Sequence, residues 1–358
     1  MKWDYLIIGQ GLAGSIMAYQ LLKRGKHIAI IDEGKSFTSS TVAAGLINPF
    51  TGPKMVKSWK AELTISFSNI FYKELEHETQ TKFFSERLIY RPFSSIQELN
   101  DWEGRSSRKN YQKFIKAIRG KDAHGNYVDD PFGGVEISGY VLNVSDFILA
   151  MRQYLKSRCH FLEHRFCEDN LEITDDTLRY ADIEAKRLIF CSGYEIQQSK
   201  FFSWIPIAPV KGEILQLRLD ENFETIYNKS CFIIPQGKGI YKAGSTYDRE
   251  DMTEKPTQKG RNKISQKLDA LLKMNYEIVA QEAGIRPGTV TRRPLIGFHP
   301  VHQELSVFNG LGTKGVSLAP FFSDQFVKCL EEGNNLDEEV DIKKYYSLYF
   351  NSHFSEEN

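Results

Sequence analysis

One stretch near the start of the chain restricts the possible folds more than any other. Residues 4–33 read DYLIIGQGLAGSIMAYQLLKRGKHIAIIDE, an apolar run, three glycines, a helical pattern and a second apolar run. This order is typical of the strand–turn–helix–strand unit that opens a dinucleotide-binding fold. Gly9 permits the tight turn, Gly11 lets backbone N–H groups approach a pyrophosphate, and Gly14 lets the helix pack closely on the strand. The stretch therefore predicts a nucleotide site at this turn.

Asp32 closes the second strand of this unit. A carboxylate there can accept a hydrogen bond from a ribose hydroxyl, but the glycine pattern alone does not choose between NAD and FAD. Residues 36–52, SFTSSTVAAGLINPFTG, follow and show no clear period. Their small side chains predict either a surface loop or backbone that a flat ligand approaches closely.

Length and composition exclude some classes of protein. The 358 residues are long for one hydrophobic core and predict two domains or one domain with a large insertion. The 46 basic and 46 acidic residues balance, so no overall field favours nucleic acid or a membrane surface. Five cysteines, none in a CxxC pair, predict reduced thiols, no metal site and a cytoplasmic protein. The apolar run before Gly9 is too short for a signal or a membrane span.

Three later segments carry local signals. Residues 144–158 predict a helix with Ser145 as its N-cap. Residues 186–199 predict a buried strand that ends at Ser192 and Gly193, a small-residue turn that a nucleotide would meet from its other side. Residues 310–322, GLGTKGVSLAPFF, form a second glycine-rich loop that opens a helix, and such a loop is a potential anion site.

Seven segments in chain order resemble the motifs of the FAD-dependent D-amino-acid oxidase superfamily. They are GQGLAG with Asp32, SSTVAAGLINP, LIFCSG, PVKGEILQL, YKAGSTYDR, AGIRPGTVTRRPLIG and GLGTKGVSLAP. The superfamily includes glycine oxidase, sarcosine oxidase and the oxidase domain of the tRNA-modifying enzyme that makes methylaminomethyl-uridine. The resemblance extends from Asp4 to about Leu330.

The resemblance implies an α/β protein, α+β overall, in which an antiparallel-sheet substrate domain is inserted into a Rossmann-like FAD-binding domain. The FAD-binding domain would comprise residues 1–84, 141–205 and 281–345. The substrate domain would comprise residues 85–140 and 206–280, and residues 346–358 would form a C-terminal tail.

The resemblance also implies which residues bind FAD. In this sequence they are Gly9, Gly11, Leu12, Ala13, Gly14, Asp32, Glu33, Ser39, Ser40, Ala44, Gly45, Leu46, Ser192, Gly193, Arg286, Gly312, Thr313, Lys314, Gly315 and Val316. The second glycine loop would face the flavin ring at the opposite end of the cofactor from the first. Members with covalent flavin have a cysteine shortly after the position of Arg286, and none lies between Gly284 and Gly297. We therefore expect noncovalent FAD.

The activity implied is oxidation of a C–N bond in a small amino acid or secondary amine that carries a carboxylate, with hydride passing to flavin N5 and oxygen as acceptor. Arg286 matches the arginine that pairs with the substrate carboxylate in glycine-oxidase-like members, a task suited to a planar guanidinium. The alternative is a structural arginine between domains.

Four further residues are candidates for the catalytic site. Lys242 matches the lysine that sarcosine-oxidase-like members keep near the flavin for reaction with oxygen, although a solvated strand lysine is an equal alternative. Phe232 and Tyr247 fall on strand positions expected to face the cavity. Lys314 could point to the flavin, to a substrate carboxylate or to solvent. Thr313 replaces a second cationic residue of glycine oxidase, which argues against glycine itself as the substrate.

Residues 104–121 raise the question of RNA. They hold seven Lys or Arg and no acid, with Tyr111 and Phe114 interleaved, a pattern that either follows phosphates or forms a solvated helix face. Three hypotheses stay open: an oxidoreductase of a small-molecule amine or amino acid, an oxidase of carboxymethylaminomethyl-uridine in tRNA, and a non-catalytic flavin-binding protein.

Overall fold

The computed structural model describes residues 2–35, 38–52, 54–174 and 177–354. Within these ranges the α-helices are α1 Leu12–Leu22, α2 Ser39–Val42, α3 Ala61–Thr79, α4 Ile96–Ser106, α5 Lys109–Gln112, α6 Val144–Lys156, α7 Gln258–Asp269, α8 Gly315–Glu332 and α9 Tyr346–Phe354. Short 3-10 turns occupy Glu168–Asn170, Gly193–Gln198, Gly312–Lys314 and Ile342–Tyr345.

The described strands form two large sheets and one small ribbon. They are β1 Lys2–Ile8, β2 Ile28–Ile31, β3 Leu46–Ile47, β4 Phe50–Thr51, β5 Val56–Lys57, β6 Phe84–Pro92, β7 Ile115–Arg119, β8 Gly134–Leu142, β9 His160–Leu162, β10 Glu172–Ile173, β11 Leu178–Tyr180, β12 Ile183–Phe190, β13 Val210–Leu219, β14 Ile226–Asn228, β15 Phe232–Gly237, β16 Ile240–Gly244, β17 Tyr276–Arg286, β18 Leu295–Phe298 and β19 Leu305–Asn309.

The first sheet has a parallel centre in the order β9, β2, β1, β12, β19. All four residues of β2 are buried, as expected for a strand covered on both faces. One face packs against α1, α3, α6 and α8, and the other packs against the segment around Phe202 and Trp204. The Rossmann-like α/β fold expected from the sequence is confirmed.

The second sheet runs in the order β17, β13, β16, β15, β14, β6, β8, β3, with β7 also paired to β8. Its pairs are antiparallel except that of β14 with β6. Leu217, Tyr241 and Ile233 point to one face, where helix α7 covers them. The opposite face meets helix α2, since a Cβ on Gly284 would come within 3.2 Å of the Ser39 Cα atom.

One local expectation was wrong, and one alternative of a second does not hold. Helix α6 is capped by Asn143, whose side chain accepts the Asp146 N–H at 3.3 Å, and not by Ser145. The Ser145 hydroxyl instead donates to the Thr41 carbonyl at 3.1 Å. The stretch 36–52 is not simply a loop, because it contains α2, β3 and β4; residues 36 and 37 lie outside the described residues.

Two segments differ from the expected division of the chain. Strand β17 continues the second sheet past residue 280 to Arg286. Residues 346–354, expected as part of a tail, form helix α9, in which Tyr349 packs on Trp204 at 5.9 Å and on His299 at 4.8 Å between ring centroids. Helix α9 therefore belongs to the packed body of the protein.

Candidate active site

A cleft of about 570 Å³ lies at the carboxyl ends of β1, β2 and β12. This is the edge at which open α/β sheets bind nucleotides. The cleft brings together eight of the residues expected to bind FAD: Gly9, Gly11, Asp32, Glu33, Ser39, Ser40, Ser192 and Gly193. Three separate stretches of the chain thus meet in one cavity.

The first glycine loop has the close contacts that its sequence predicts. Gly9 has φ +93°, and a Cβ there would come within 2.8 Å of the Cys191 carbonyl oxygen. A Cβ on Gly14 would lie only 1.8 Å from the Gly9 carbonyl oxygen, whereas one on Gly11 would meet the Ser40 hydroxyl at 3.0 Å. Gly14 therefore serves the packing of α1 on the strand, and Gly11 borders the open side of the cleft.

The carboxylate of Asp32 is held by several groups. Its Oδ2 accepts the Gln10 N–H at 2.7 Å, and its Oδ1 accepts the Gly34 N–H at 3.0 Å and pairs with Arg152. Arg152 Nε also donates to the Gln10 side-chain oxygen at 2.9 Å. Arg152 was missed by the sequence reasoning because it lies on α6, far along the chain from Asp32. Its guanidinium fixes the carboxylate at the edge of the cleft.

The second glycine loop packs against the first. A Cβ on Gly315 would meet the Leu12 side chain at 3.0 Å, and Leu12 and Ala13 begin helix α1. On its other side the Gly312 N–H donates to the Pro287 carbonyl at 3.1 Å. The turn from Gly312 to Val316, with Thr313 between, therefore joins the start of α1 to the end of β17.

Ala44, Gly45 and Leu46 lie away from the cleft lining. Gly45 has φ +71°, and a Cβ there would come within 1.8 Å of the Leu142 carbonyl oxygen. Leu46 pairs with Val141 in the second sheet. The segment therefore joins the cleft-side helix α2 to the second sheet.

Arg286, the last residue of β17, lies flat over the neighbouring strand. A Cβ on Gly212 would come within 1.7 Å of the Arg286 Nη2 atom. The guanidinium donates to one acceptor, the Thr246 carbonyl, at 3.4 Å. Within the described ranges no carboxylate pairs with it, and burial lowers its pKa. A guanidinium carries five N–H donors, so most remain available to an anion.

Lys242 shares this sheet face with Arg286, as the register shows. Lys242 lies opposite Gln216 and Ile234, and the Gln216 amide donates to Glu282 at 3.0 Å. Burial lowers the pKa of Lys242, while the carboxylates of Glu282 and Asp146 act in the opposite direction. Lys242 is half-buried, which argues against a freely solvated strand lysine.

Phe232 lies on the same face of the sheet as Lys242, on the neighbouring strand β15. It pairs with Gly244, and a Cβ on Gly244 would meet the Phe232 ring at 3.4 Å. It packs against the core cluster that includes Ile234 and the helices of the first sheet. The alternation of side chains along the strand could not predict which face of the sheet Phe232 occupies, because this depends on which face helix α7 covers.

Tyr247 is exposed, whereas Lys314 is half-buried. Tyr247 is not on a strand, since β16 ends at Gly244, and its side chain is 56% exposed beside Arg249. Lys314 is half-buried and donates to the Ser58 hydroxyl at 3.1 Å. Burial lowers the pKa of Lys314, and the like charges of Arg293 and Arg292 lower it further.

The cleft fits a dinucleotide by its own chemistry. The Ser192 hydroxyl oxygen is buried there without a hydrogen-bond partner. At the N-terminus of α1, after the cap residue Gly11, the Leu12 N–H donates to the Ser40 hydroxyl at 3.1 Å, and the remaining backbone N–H groups of this first turn favour a pyrophosphate. Gly9, Gly11 and the α1 N-terminus would hold the pyrophosphate, and Asp32 would accept from a ribose hydroxyl.

A family model described as DAO, FAD dependent oxidoreductase, matches residues 4–327. The chain belongs to this family. It is therefore an FAD-dependent oxidoreductase, and a non-catalytic flavin-binding protein is not supported.

Known relatives agree with this assignment. The glycine oxidase of Bacillus subtilis is 24% identical over 89% of this chain and 90% of its own length. The tRNA 5-methylaminomethyl-2-thiouridine biosynthesis bifunctional protein MnmC of Leptospira interrogans is 21% identical over 95% of this chain but only 59% of its own length. The structure of glycine oxidase from Geobacillus kaustophilus, 19% identical, superposes with a TM-score of 0.77 over 96% of this chain and 98% of that one.

No helix in the described part is long and apolar enough to cross a membrane. No group of three or more His, Cys, Asp or Glu side chains within the same ranges is arranged to hold a metal ion.

Proposed function

We propose that the protein oxidises the C–N bond of a small amino acid or secondary amine that carries a carboxylate, with oxygen as the acceptor. The observation that carries the proposal is Arg286, a partly buried guanidinium with one protein acceptor at 3.4 Å. A cation left in this state at a strand end is suited to a carboxylate, which it can bind through two parallel hydrogen bonds. Bound FAD supplies the hydride acceptor.

The residues around Arg286 would orient the substrate. Gly212 leaves the space that the guanidinium occupies, and the Thr246 carbonyl fixes one edge of it. Phe232 gives the same sheet face an apolar wall, which excludes water from the carbon that reacts. Lys242 would provide a positive charge on the flavin side of the sheet.

Lys314 has a separate proposed role. It is the N-cap residue of α8 at the second glycine loop, where the turn contacts Pro287 next to Arg286. Its ammonium group, together with the α8 N-terminus, would stabilise the negative charge that collects on a reduced flavin. The residues expected to contact FAD along this loop remain proposed ligands.

We further propose that FAD is held without a covalent bond, in a cytoplasmic enzyme. The absence of a cysteine between Gly284 and Gly297 supports noncovalent FAD, and cysteines that form no disulfide support a reducing compartment. Acid precipitation should release all of the flavin into the supernatant. Yellow colour retained in the pellet would contradict the proposal.

The function is tested by a panel of amines added to the yellow protein without oxygen. Glycine, sarcosine, proline and D-amino acids are the first members, with decarboxylated analogues such as dimethylamine as matched controls. The proposal expects one carboxylate-bearing amine to bleach the flavin and, after air is admitted, to yield peroxide. Equal bleaching by the decarboxylated analogue would contradict the role of the carboxylate.

A second candidate is the oxidation of carboxymethylaminomethyl-uridine in tRNA, supported by the likeness to MnmC. The basic segment 104–121 provides little support for RNA binding. Tyr111 stacks on Phe50 at 5.1 Å and Phe114 is buried, so neither ring is free for a base. Lys113 pairs with Glu62 at 2.6 Å, which removes one of the cations. Digestion of tRNA after incubation would show loss of the carboxymethyl group if this candidate is right.

A further inference from the structure

Residues 246–257, TYDREDMTEKPT, follow β16 and run to helix α7; we call them the strap. The first residue of the strap meets the substrate-side arginine, because the Thr246 carbonyl accepts from Arg286 at 3.4 Å. Near its other end, Glu254 lines the nucleotide cleft together with Tyr194. One segment of the second sheet's connections therefore reaches both halves of the candidate active site.

Lys211 anchors the middle of the strap. Its side chain is 1% exposed, yet its ammonium group donates to Asp251 at 2.5 Å, to the Lys255 carbonyl at 2.6 Å and to Thr253 at 3.2 Å. These bonds hold the pKa of Asp251 well below its usual range. A buried ammonium is costly unless it is fully paired, so this set of partners specifies the path of the strap.

Glu213, two residues along the same strand, anchors both ends. Its backbone carbonyl accepts the Thr246 N–H at 3.2 Å, and its carboxylate accepts the Thr257 N–H at 2.8 Å. A Cβ on Gly260 would come within 2.3 Å of the Glu213 carboxylate, so that position admits no larger side chain. The strap is therefore tied at its start, middle and end to β13, next to Gly212.

Glu254 is exposed and has the chemistry to meet the cofactor. Burial raises the pKa of Tyr194 in the cleft, and the neighbouring Glu254 carboxylate raises it further, which places the two side chains together. The adenosine half of FAD offers hydrogen-bond donors at its amine and its ribose hydroxyls, and a carboxylate accepts from both. Among the described residues of the segments that build the second sheet and its connections, Glu254 alone lines this cleft.

We propose that the strap couples FAD binding to the substrate site: Glu254 accepts a hydrogen bond from the adenosine half of FAD, Lys211 is the positioning residue that holds the strap, and Thr246 orients Arg286. The part of this proposal that concerns Arg286 rests on the proposed function. The part that concerns Glu254 rests only on FAD binding, which the family membership establishes.

The Glu254 end is tested on the full-length protein purified with FAD, by the rate at which flavin fluorescence appears after dilution. Glu254→Ala should release FAD on the order of ten times faster, the effect of one hydrogen bond to a charged group. Glu250→Ala, which removes an exposed acid from the same strap, is the matched control and should release FAD at the parent rate. Equal release rates for the Glu254 and Glu250 variants would overturn this end of the proposal.

The coupling is tested by hydrogen exchange of the strap amides at limiting and at saturating FAD. Saturation should slow exchange in residues 246–257, and Lys211→Met should speed it at both concentrations. If Lys211→Met does not fold, Asp251→Asn removes the charge of one partner and should give the same result more weakly. Exchange that is indifferent to FAD would overturn the coupling.

A kinetic readout completes the test once an amine substrate is found. Lys211→Met should raise KM for that amine while leaving kcat at saturating substrate close to the parent value, because it disturbs the orientation of Arg286 and not the reacting atoms. A fall in kcat with an unchanged KM would overturn the role given to Thr246. If no amine reduces the flavin, the proposed function fails, whereas the FAD release and exchange measurements still decide the strap.

Discussion

Gly212 and Arg286 share one space: the guanidinium of Arg286 occupies the volume that a side chain at Gly212 would need, with 1.7 Å between Nη2 and a Cβ placed there. The two residues lie on adjacent strands, β13 and β17, whose register pairs Gly212 with Gly284 and Val210 with Arg286. The absence of a side chain at Gly212 therefore permits Arg286 to lie flat on the sheet.

Gly212→Ala should displace the guanidinium without unfolding the protein. We expect kcat/KM for a carboxylate-bearing amine to fall by about tenfold or more, since about 1.4 kcal/mol of lost transition-state binding has that effect. Steady-state kinetics measure it. Gly104→Ala, at a position where a Cβ would meet nothing within 4 Å, is the control. Normal kinetics for Gly212→Ala would show that Arg286 does not need this position.

Arg286→Ala should raise KM for the same substrate roughly a hundredfold, because a hydrogen-bonded charged pair contributes about 2 to 3 kcal/mol. Arg286→Lys should recover part of the loss but not all, since an ammonium cannot form two parallel bonds to a carboxylate. Arg218→Ala, an exposed arginine on the same sheet, should change nothing. An unchanged KM in Arg286→Ala would remove Arg286 from the substrate site.

Substitutions of Gly11 and Gly14 in the first glycine loop should have different effects. Gly11→Leu should fold but lose FAD, because its side chain would enter the cleft on the Ser40 side, where the contact of a Cβ is 3.0 Å. Gly14→Ala should lower the melting temperature instead, because its Cβ would lie 1.8 Å from backbone oxygen, which cannot move aside cheaply. Flavin absorbance per protein and thermal unfolding separate the two outcomes. Equal loss of stability in both variants would contradict this division of roles.

Lys242→Met should raise the free energy of unfolding at neutral pH. Burial lowers the pKa of Lys242 in the folded protein, so the unfolded chain binds the proton more tightly than the folded one. Below the pKa of Lys242 in the folded protein, the cost of burying its charge lowers the stability in full. This cost falls as pH rises toward the ordinary lysine pKa, because the folded protein then loses the proton. The stability gained by Lys242→Met should therefore shrink between neutral pH and about pH 10.

Denaturant unfolding at several pH values measures this effect. Lys238→Met, which removes an exposed lysine from the turn before β16, should leave stability unchanged at every pH. A gain in Lys242→Met that is the same at neutral and at alkaline pH would indicate better packing of Met and not the removal of a buried charge.

The parts of the site predicted well from the sequence are those set by neighbouring residues. Gly9 must take φ +93° to turn from β1 into α1, and the residues on both sides of it show why. The family resemblance added the order of the later motifs. It did not show that Tyr247 lies past the end of β16, because strand ends depend on pairing partners far along the chain.

Other features depend on contacts that no local pattern records. Arg152 reaches Asp32 only because α6 packs beside α1, and Glu254 reaches the cleft only because a buried lysine on another strand holds the strap. The N-cap of α6 was misplaced because Asn143 and Ser145 are both good caps, and the choice is made by the bond from Ser145 to Thr41. Such choices are tertiary, so a single sequence leaves them open.

The alternation of the chain between the two sheets bears on how the enzyme is made in the cell. The first sheet takes its strands from the beginning, middle and last third of the chain, with the second sheet's strands in between. Synthesis must pass β19 and reach α8 before the loop that packs on Leu12 exists. Contacts of such long sequence separation form slowly. Flavin loading should therefore be a late event, and a ribosome-bound fragment that ends before Gly310 should capture none.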